Sequence, residues 1–160
     1  MLVLRLTQKL AATLRVRLPA DALSPLNPCA DWCCHSFRAG RRHYLLVTHA
    51  TTFYSVVLRS QGMGNEPDFI AGVISGLRGY LQAAGQEFAF TQFIGPASGE
   101  VRFRSVADRR VLGVMNEFIF MAKEYLVDLS PIETSDRLNH CPVSPLGGKF
   151  PDDVFPPSNG

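Results

Sequence analysis

The sequence predicts a single α+β domain, a mostly antiparallel sheet with two or three helices packed on it. Three observations carry this reading. The chain has 160 residues, 46% hydrophobic and 19% charged, enough for one buried core and too apolar for a disordered chain. Residues 1–6 and 32–58 are patterned as strands, with β-branched and aromatic residues concentrated in the second stretch. Residues 66–84 and 106–128 instead repeat their large apolar side chains at helical spacing.

Leu2, Leu4 and Leu6 alternate with Val3 and Arg5, so a short strand opens the chain. Thr7 is placed to cap a helix over 8–16, with Leu10 and Leu14 one turn apart. The stretch Leu18 to Pro28 contains three prolines and reads as a loop. Strands follow at 32–38 and 41–49, joined by a two-residue turn at Ala39-Gly40. In that register Ser36 faces His43 and His35 faces Tyr44. A third strand is expected over 51–58. Apolar residues on both faces near Tyr44–Val47 place this sheet between two layers.

Asn65, Pro67 and Asp68 mark the start of the second helix and Gly85 its end. Ile70, Val73, Ile74, Leu77 and Leu81 form its apolar face, and Gly72, Gly76 and Gly79 line a stripe nearly opposite. Each helical glycine costs about 1 kcal/mol, so the stripe needs a reason. The readings are close approach of another backbone, from this chain or a second copy, or a bent helix. Residues 87–94 and 100–104 alternate and read as a hairpin around Gly95–Gly99. Ser105 and Asp108 then form a capping box for a helix over 106–128, which Ser130-Pro131 ends. The domain is assigned to 1–141, and the Pro/Gly-rich segment 142–160 to a C-terminal arm or tail.

The net charge of +2 hides an asymmetry. Residues 1–60 carry eight Lys/Arg against two acids, and residues 61–160 carry eight against twelve. Arg41, Arg42, Arg102, Arg104, Arg109 and Arg110 are the candidate anion-binding residues, because guanidinium forks suit phosphate and carboxylate. The divided pattern gives only weak support for nucleic acid. It suits two parts of one domain, or two copies, attracting each other. No stretch reaches 18 consecutive apolar residues, and Arg5 and Lys9 interrupt any signal-peptide core. A cytoplasmic location without a membrane partner is expected, although the basic start also suits a transit peptide.

Recognised chemistry is sparse. Gly62-x-Gly64 lacks the third glycine and the Lys-Ser/Thr of phosphate-binding loops, so it reads as a turn. Cys29, Cys33, His140 and Cys141 are weak metal candidates at spacings unlike a zinc knuckle, so neither metal nor cofactor is expected. Trp32, His35, Asn116 and Glu117 form a candidate polar site. The preferred reading is a non-enzymatic binding or interaction module, dimeric through the Gly72/Gly76/Gly79 face. One alternative is an enzyme centred on Trp32, His35, Arg41, Arg42 and Asn116. The other is an anion or nucleic-acid binder using the arginines. Whether the chain is an enzyme stays open.

Several motifs occur together in one order: L-R-L-T-Q-K-L at the start, D-W followed by R-R-H-Y-L-L-V-T (31–48), T-T-F-Y-S-V-V (51–57), R-R-V-L-G-V-M-N-E (109–117) and L-N-H-C-P-V-S (138–144). In these the chain resembles a small uncharacterised bacterial family, a domain of unknown function, over residues 1–146. The family pattern has His at position 33, Asn at 35 and Ser at 110 and 114, where this chain has Cys33, His35, Arg110 and Val114. Were that His catalytic, this member would lack it. The resemblance implies a fold but no reaction.

Overall fold

A computed structural model describes residues 1–157. Five strands form one sheet in the order β4-β3-β2-β1-β5. Strand β1 (Leu2–Leu6) leads into α1 (Gln8–Leu14), where the Thr7 hydroxyl accepts a hydrogen bond from the Leu10 N–H as its cap. After a long loop come β2 (Asp31–Ala39), β3 (Arg42–His49) and β4 (Ser55–Arg59). Helix α2 (Glu66–Ala83) follows, capped by Asn65, with Gly85 at positive φ just beyond its end. A short α3 (Glu87–Ala89) runs into helical turns and then β5 (Val101–Ser105). Helices α4 (Arg109–Tyr125), α5 (Pro131–Asn139) and α6 (Pro151–Val154) complete the described chain.

The fold is α+β, but the sheet is mixed rather than mostly antiparallel. Strand β1 pairs in parallel with both β2 and β5, while β2, β3 and β4 form an antiparallel meander. The difference lies in residues 87–94, expected as a strand. Ala89, Phe90, Phe93 and Ile94 recur at one- and four-residue spacings, which put them on one helical side, and Ala89 and Ile94 are fully buried there. Aromatic content mimicked a strand, and with no partner in a hairpin β5 pairs with β1 instead.

Alternate residues of the central strands enter opposite cores. Leu4, Trp32, Cys34, Leu45 and Val47 face α1 and α2. Cys33, Phe37, Leu46 and Val57 face α4 and α5. Such two-sided burial is why Tyr44–Val47 reads as continuously apolar. Residues 142–157, expected to form an arm or tail, bury Val143 and carry Phe155 into the first core, stacked on Tyr54 with ring centroids 4.2 Å apart. Residues 158–160 of that segment lie outside the described residues.

Four local readings change. The two central turn residues are Gly40 and Arg41, because Gly40 takes the positive φ that the first position favours. The register therefore opposes Arg38 to His43 and Ser36 to Leu45, so the Ser36–His43 and His35–Tyr44 pairs do not form. Residues 51–54 make a turn rather than strand, locked by the Thr52 N–H donating to His49 Nδ1 at 3.2 Å. Asp108, not Ser105, caps α4 through the Arg110 N–H. Ser130 does not merely end α4; with Glu133 it makes the capping box of a further helix, α5.

The glycine stripe of α2 is largely filled from within. Side chains of Met63 and Leu58 occupy the space a Cβ would need at Gly72 and Gly76, while Gly79 is open. Glycine at the first two positions admits this chain's own side chains, so two thirds of the face expected to meet a second copy is already covered.

Candidate anion-binding groove

The β2–β3 hairpin extends well past its neighbour, since β1 makes its last pairing with β2 at Cys34 while β2 continues to Ala39. This projecting end carries Arg38, Arg41, Arg42 and His43, and the end of β4 adds Arg59. Two cavities adjoin here and share His43 and Ser60. One, of about 520 Å³, is lined by Arg41, Arg42, His43, Arg59, Ser60 and Gln61. The other, of about 400 Å³, reaches inward between α1, the hairpin and the start of α2. Its floor includes Leu10, Leu14, Leu45, Met63 and Phe69, with Lys9, Arg38 and His43 at its rim.

Local bonding holds this geometry. The Ser60 N–H donates to the His43 carbonyl at 3.1 Å and the Met63 N–H to the Ser60 carbonyl at 3.1 Å, which ties the loop before α2 to the hairpin. Among the described residues none of Lys9, Arg38, Arg41, Arg42 or Arg59 forms an ion pair. The result is an unneutralised cationic cavity beside an apolar-floored one, a pairing suited to an anion that carries a hydrocarbon or ring body.

The other predicted arginines are elsewhere and engaged. Arg104 pairs with Asp21 at 3.0 Å, Arg102 with Glu100 at 2.8 Å and Arg110 with Asp108 at 3.1 Å. Arg109 stands at the exposed start of α4 without an ion pair among the described residues. Of the six predicted anion ligands, only Arg41 and Arg42 line the groove.

The polar candidates also separate. Trp32 is fully buried toward α1 and α2, its indole N–H donating to the Cys29 carbonyl at 2.8 Å. His35 points to the opposite face, its Nδ1 2.8 Å from the Ser36 carbonyl, and burial lowers its pKa. Asn116 and Glu117 lie on the exposed side of α4 beside Phe120 and Met121. The metal candidates divide likewise, with Cys29 in one core and Cys33 in the other. No group of three His, Cys, Asp or Glu side chains is placed to hold a metal among the described residues.

A smaller cavity of about 230 Å³ lies at the other face, lined by Arg5, Asp31, Cys33, Thr51 and Asp108 among others. Arg5 grips Asp31 through Nε at 2.8 Å and Nη2 at 3.1 Å, and also donates to the Leu23 carbonyl. Burial pushes the Cys33 thiol up to about 12, so it stays protonated and poorly nucleophilic.

Arg59, Ser60, Lys9 and Met63 escaped the sequence reading. Their signal was available in part: Arg59 ends a strand adjacent to the arginine-rich hairpin, and Lys9 lies on the outer side of an amphipathic helix. What brings them together is the hairpin's overhang, which only the strand pairing shows.

A family model described as a domain of unknown function (DUF6933) matches residues 3–154. No curated protein and no solved structure matches the chain. No helix among the described residues is long and apolar enough to cross a membrane.

Proposed function

The chain belongs to the DUF6933 family, a domain of unknown function, and from that premise we propose a non-enzymatic, cytoplasmic binding module that captures an amphipathic anion at the hairpin end of its sheet. One observation carries the reading: the cavity lined by Arg41, Arg42 and Arg59 adjoins, at His43 and Ser60, a second cavity with Lys9 and Arg38 at its rim and an apolar floor of Leu10, Leu14, Leu45 and Phe69. The arginines supply forked donors for a phosphate or carboxylate, and the floor takes the apolar body. Catalysis has less support. The proposed enzyme residues Trp32, His35 and Asn116 point in three directions, and the buried thiol beside Arg5 is held in its unreactive form.

The test is calorimetric titration with a short-chain alkyl phosphate, the matching alcohol and inorganic phosphate. The alkyl phosphate should bind more tightly than either fragment, because only it engages both parts of the groove. Arg41→Ala/Arg42→Ala should weaken it by at least tenfold, consistent with the loss of charge-assisted bonds worth about 1.5–3 kcal/mol each. Equal binding of inorganic phosphate and alkyl phosphate would remove the apolar half of the account. Tight, salt-sensitive binding of a nucleic-acid oligomer alone would favour the polyanion reading instead.

A further inference from the structure

Helix α4 turns a stripe of residues away from the sheet: Arg109, Gly113, Asn116, Phe120, Glu124 and, just past its end, Val127. All are exposed. Two of them are large apolar side chains left in water, Phe120 at 70% and Val127 at 78% exposure. A third feature is bare backbone. Gly113 sits inside the helix, where glycine costs about 1 kcal/mol relative to alanine. Nothing among the described residues approaches its missing Cβ. Gly72 and Gly76 of α2 admit this chain's own side chains; Gly113 admits none of them.

The geometry points to a second copy of this chain as the occupant, with the two α4 helices packed antiparallel about a point between Asn116 and Glu117. In an antiparallel pair a residue lies level with its reflection through that point. Phe120 then meets Gly113 of the second copy, a knob over a bare spot, and does so twice by the two-fold symmetry. Asn116 lies level with Glu117, an amide donor against a carboxylate acceptor. Arg109 lies level with Glu124, an opposite-charge pair at each end. Neither Arg109 nor Glu124 has an ion-pair partner within its own chain among the described residues. Arg110, which comes level with Lys123, is already neutralised by Asp108 at 3.1 Å. The stripe is thus self-complementary in shape and in charge, as a two-fold interface requires. The helix has 17 residues, so the shared seam is short. The dimer belongs among small, reversible interfaces, with dissociation constants in about the micromolar range.

Sedimentation equilibrium on the whole chain tests this. The wild type should show a concentration-dependent monomer–dimer equilibrium. Phe120→Glu should weaken it by tenfold or more, and Arg109→Glu or Glu124→Arg alone should each weaken self-association. An equal mixture of the two charge variants should dimerise again, because each copy then offers the other two opposite-charge pairs while its own homodimer has like charges. Circular dichroism of each variant confirms that these exposed substitutions leave the fold intact. A wild type that stays monomeric at the highest concentration reached overturns the proposal. So does a dimer indifferent to all three substitutions, or a mixture that fails to recover.

Discussion

The side-chain amide of Asn139 closes a two-bond ring with the backbone of Ser55: its Oδ1 accepts from the Ser55 N–H at 2.7 Å and its Nδ2 donates to the Ser55 carbonyl at 2.9 Å. Two residues along, the Val57 N–H donates to Ser135 Oγ at 2.8 Å. Strand β4 is an edge of the sheet, so these outward groups would otherwise lack a ladder partner. Helix α5 thus covers the edge with side chains that imitate a neighbouring strand. The amide also donates to Tyr80 Oη, which itself donates to Asp136 at 2.6 Å, so α2, α5 and β4 share one buried network.

Asn139→Ala should destabilise the fold by about 2–4 kcal/mol, because it leaves two buried backbone groups without partners. Ser135→Ala should cost about 1–2 kcal/mol through the Val57 N–H alone. Urea unfolding measures both. A loss below about 0.5 kcal/mol for Asn139→Ala, the range of ordinary surface changes, would show that the ring contributes little.

Acid should destabilise the protein through His49. Its Nδ1 accepts from the Thr52 N–H, so its Nε2 carries the proton and donates to the Pro28 carbonyl at 2.7 Å. Burial holds its pKa down at about 4, against 6.5 for a free imidazole. The unfolded chain therefore takes up the proton first. The stabilisation is complete above pH 6.5 and falls as the pH drops toward 4, by on the order of 3 kcal/mol. Imidazole nitrogen NMR should show the neutral Nε2–H tautomer throughout pH 5–7. A protonated His49 at pH 6 would contradict the assignment.

The four thiols should differ in reactivity. Cys29, Cys33 and Cys34 are buried and Cys141 is only partly buried. Burial pushes Cys29 and Cys33 each up to about 12 and Cys34 well above its ordinary value. A thiol reagent should modify Cys141 first in the native protein, slowed because partial burial and nearby Glu117 raise its pKa, and the other three only after denaturation. Rapid native labelling of Cys33 would reopen a chemical role for the cavity beside Arg5.

Alanine should separate the glycines of α2. Gly79→Ala meets open space and should stabilise by up to about 1 kcal/mol through helix propensity. Gly76→Ala drives a methyl into Leu58 and should destabilise. Thermal unfolding of both variants decides this. Equal stabilisation would mean that Leu58 yields without cost.

Much of the fold was legible. Val73, Leu77 and Leu81 in α2, and Val111, Met115, Phe118 and Ala122 in α4, announce their helices by spacing alone, and all are buried. The apolar run Tyr44–Val47 correctly implied a covered sheet. The rest failed for definable reasons. Phe88, Phe90 and Phe93 suggested strand propensity where helical spacing won. Moving the turn from Ala39-Gly40 to Gly40-Arg41 re-paired the hairpin and dissolved the Ser36–His43 contact. The S-P-I-E start of α5 has the form of a capping box, but Ser-Pro directly after a long helix reads equally as that helix's end. Half of the groove is visible in the sequence: Arg41 and Arg42 stand out as adjacent charges, whereas Arg59 and Met63 join them only through tertiary structure.

Mapping amide chemical shifts during titration with a short-chain alkyl phosphate decides whether the hairpin end holds an amphipathic-anion groove. Perturbations should be confined to residues 9–14, 36–45 and 59–69, and should be lost in Arg41→Ala/Arg42→Ala. Perturbations centred instead on Arg5 and Cys33, or shifts that persist undiminished in the double variant, would contradict it.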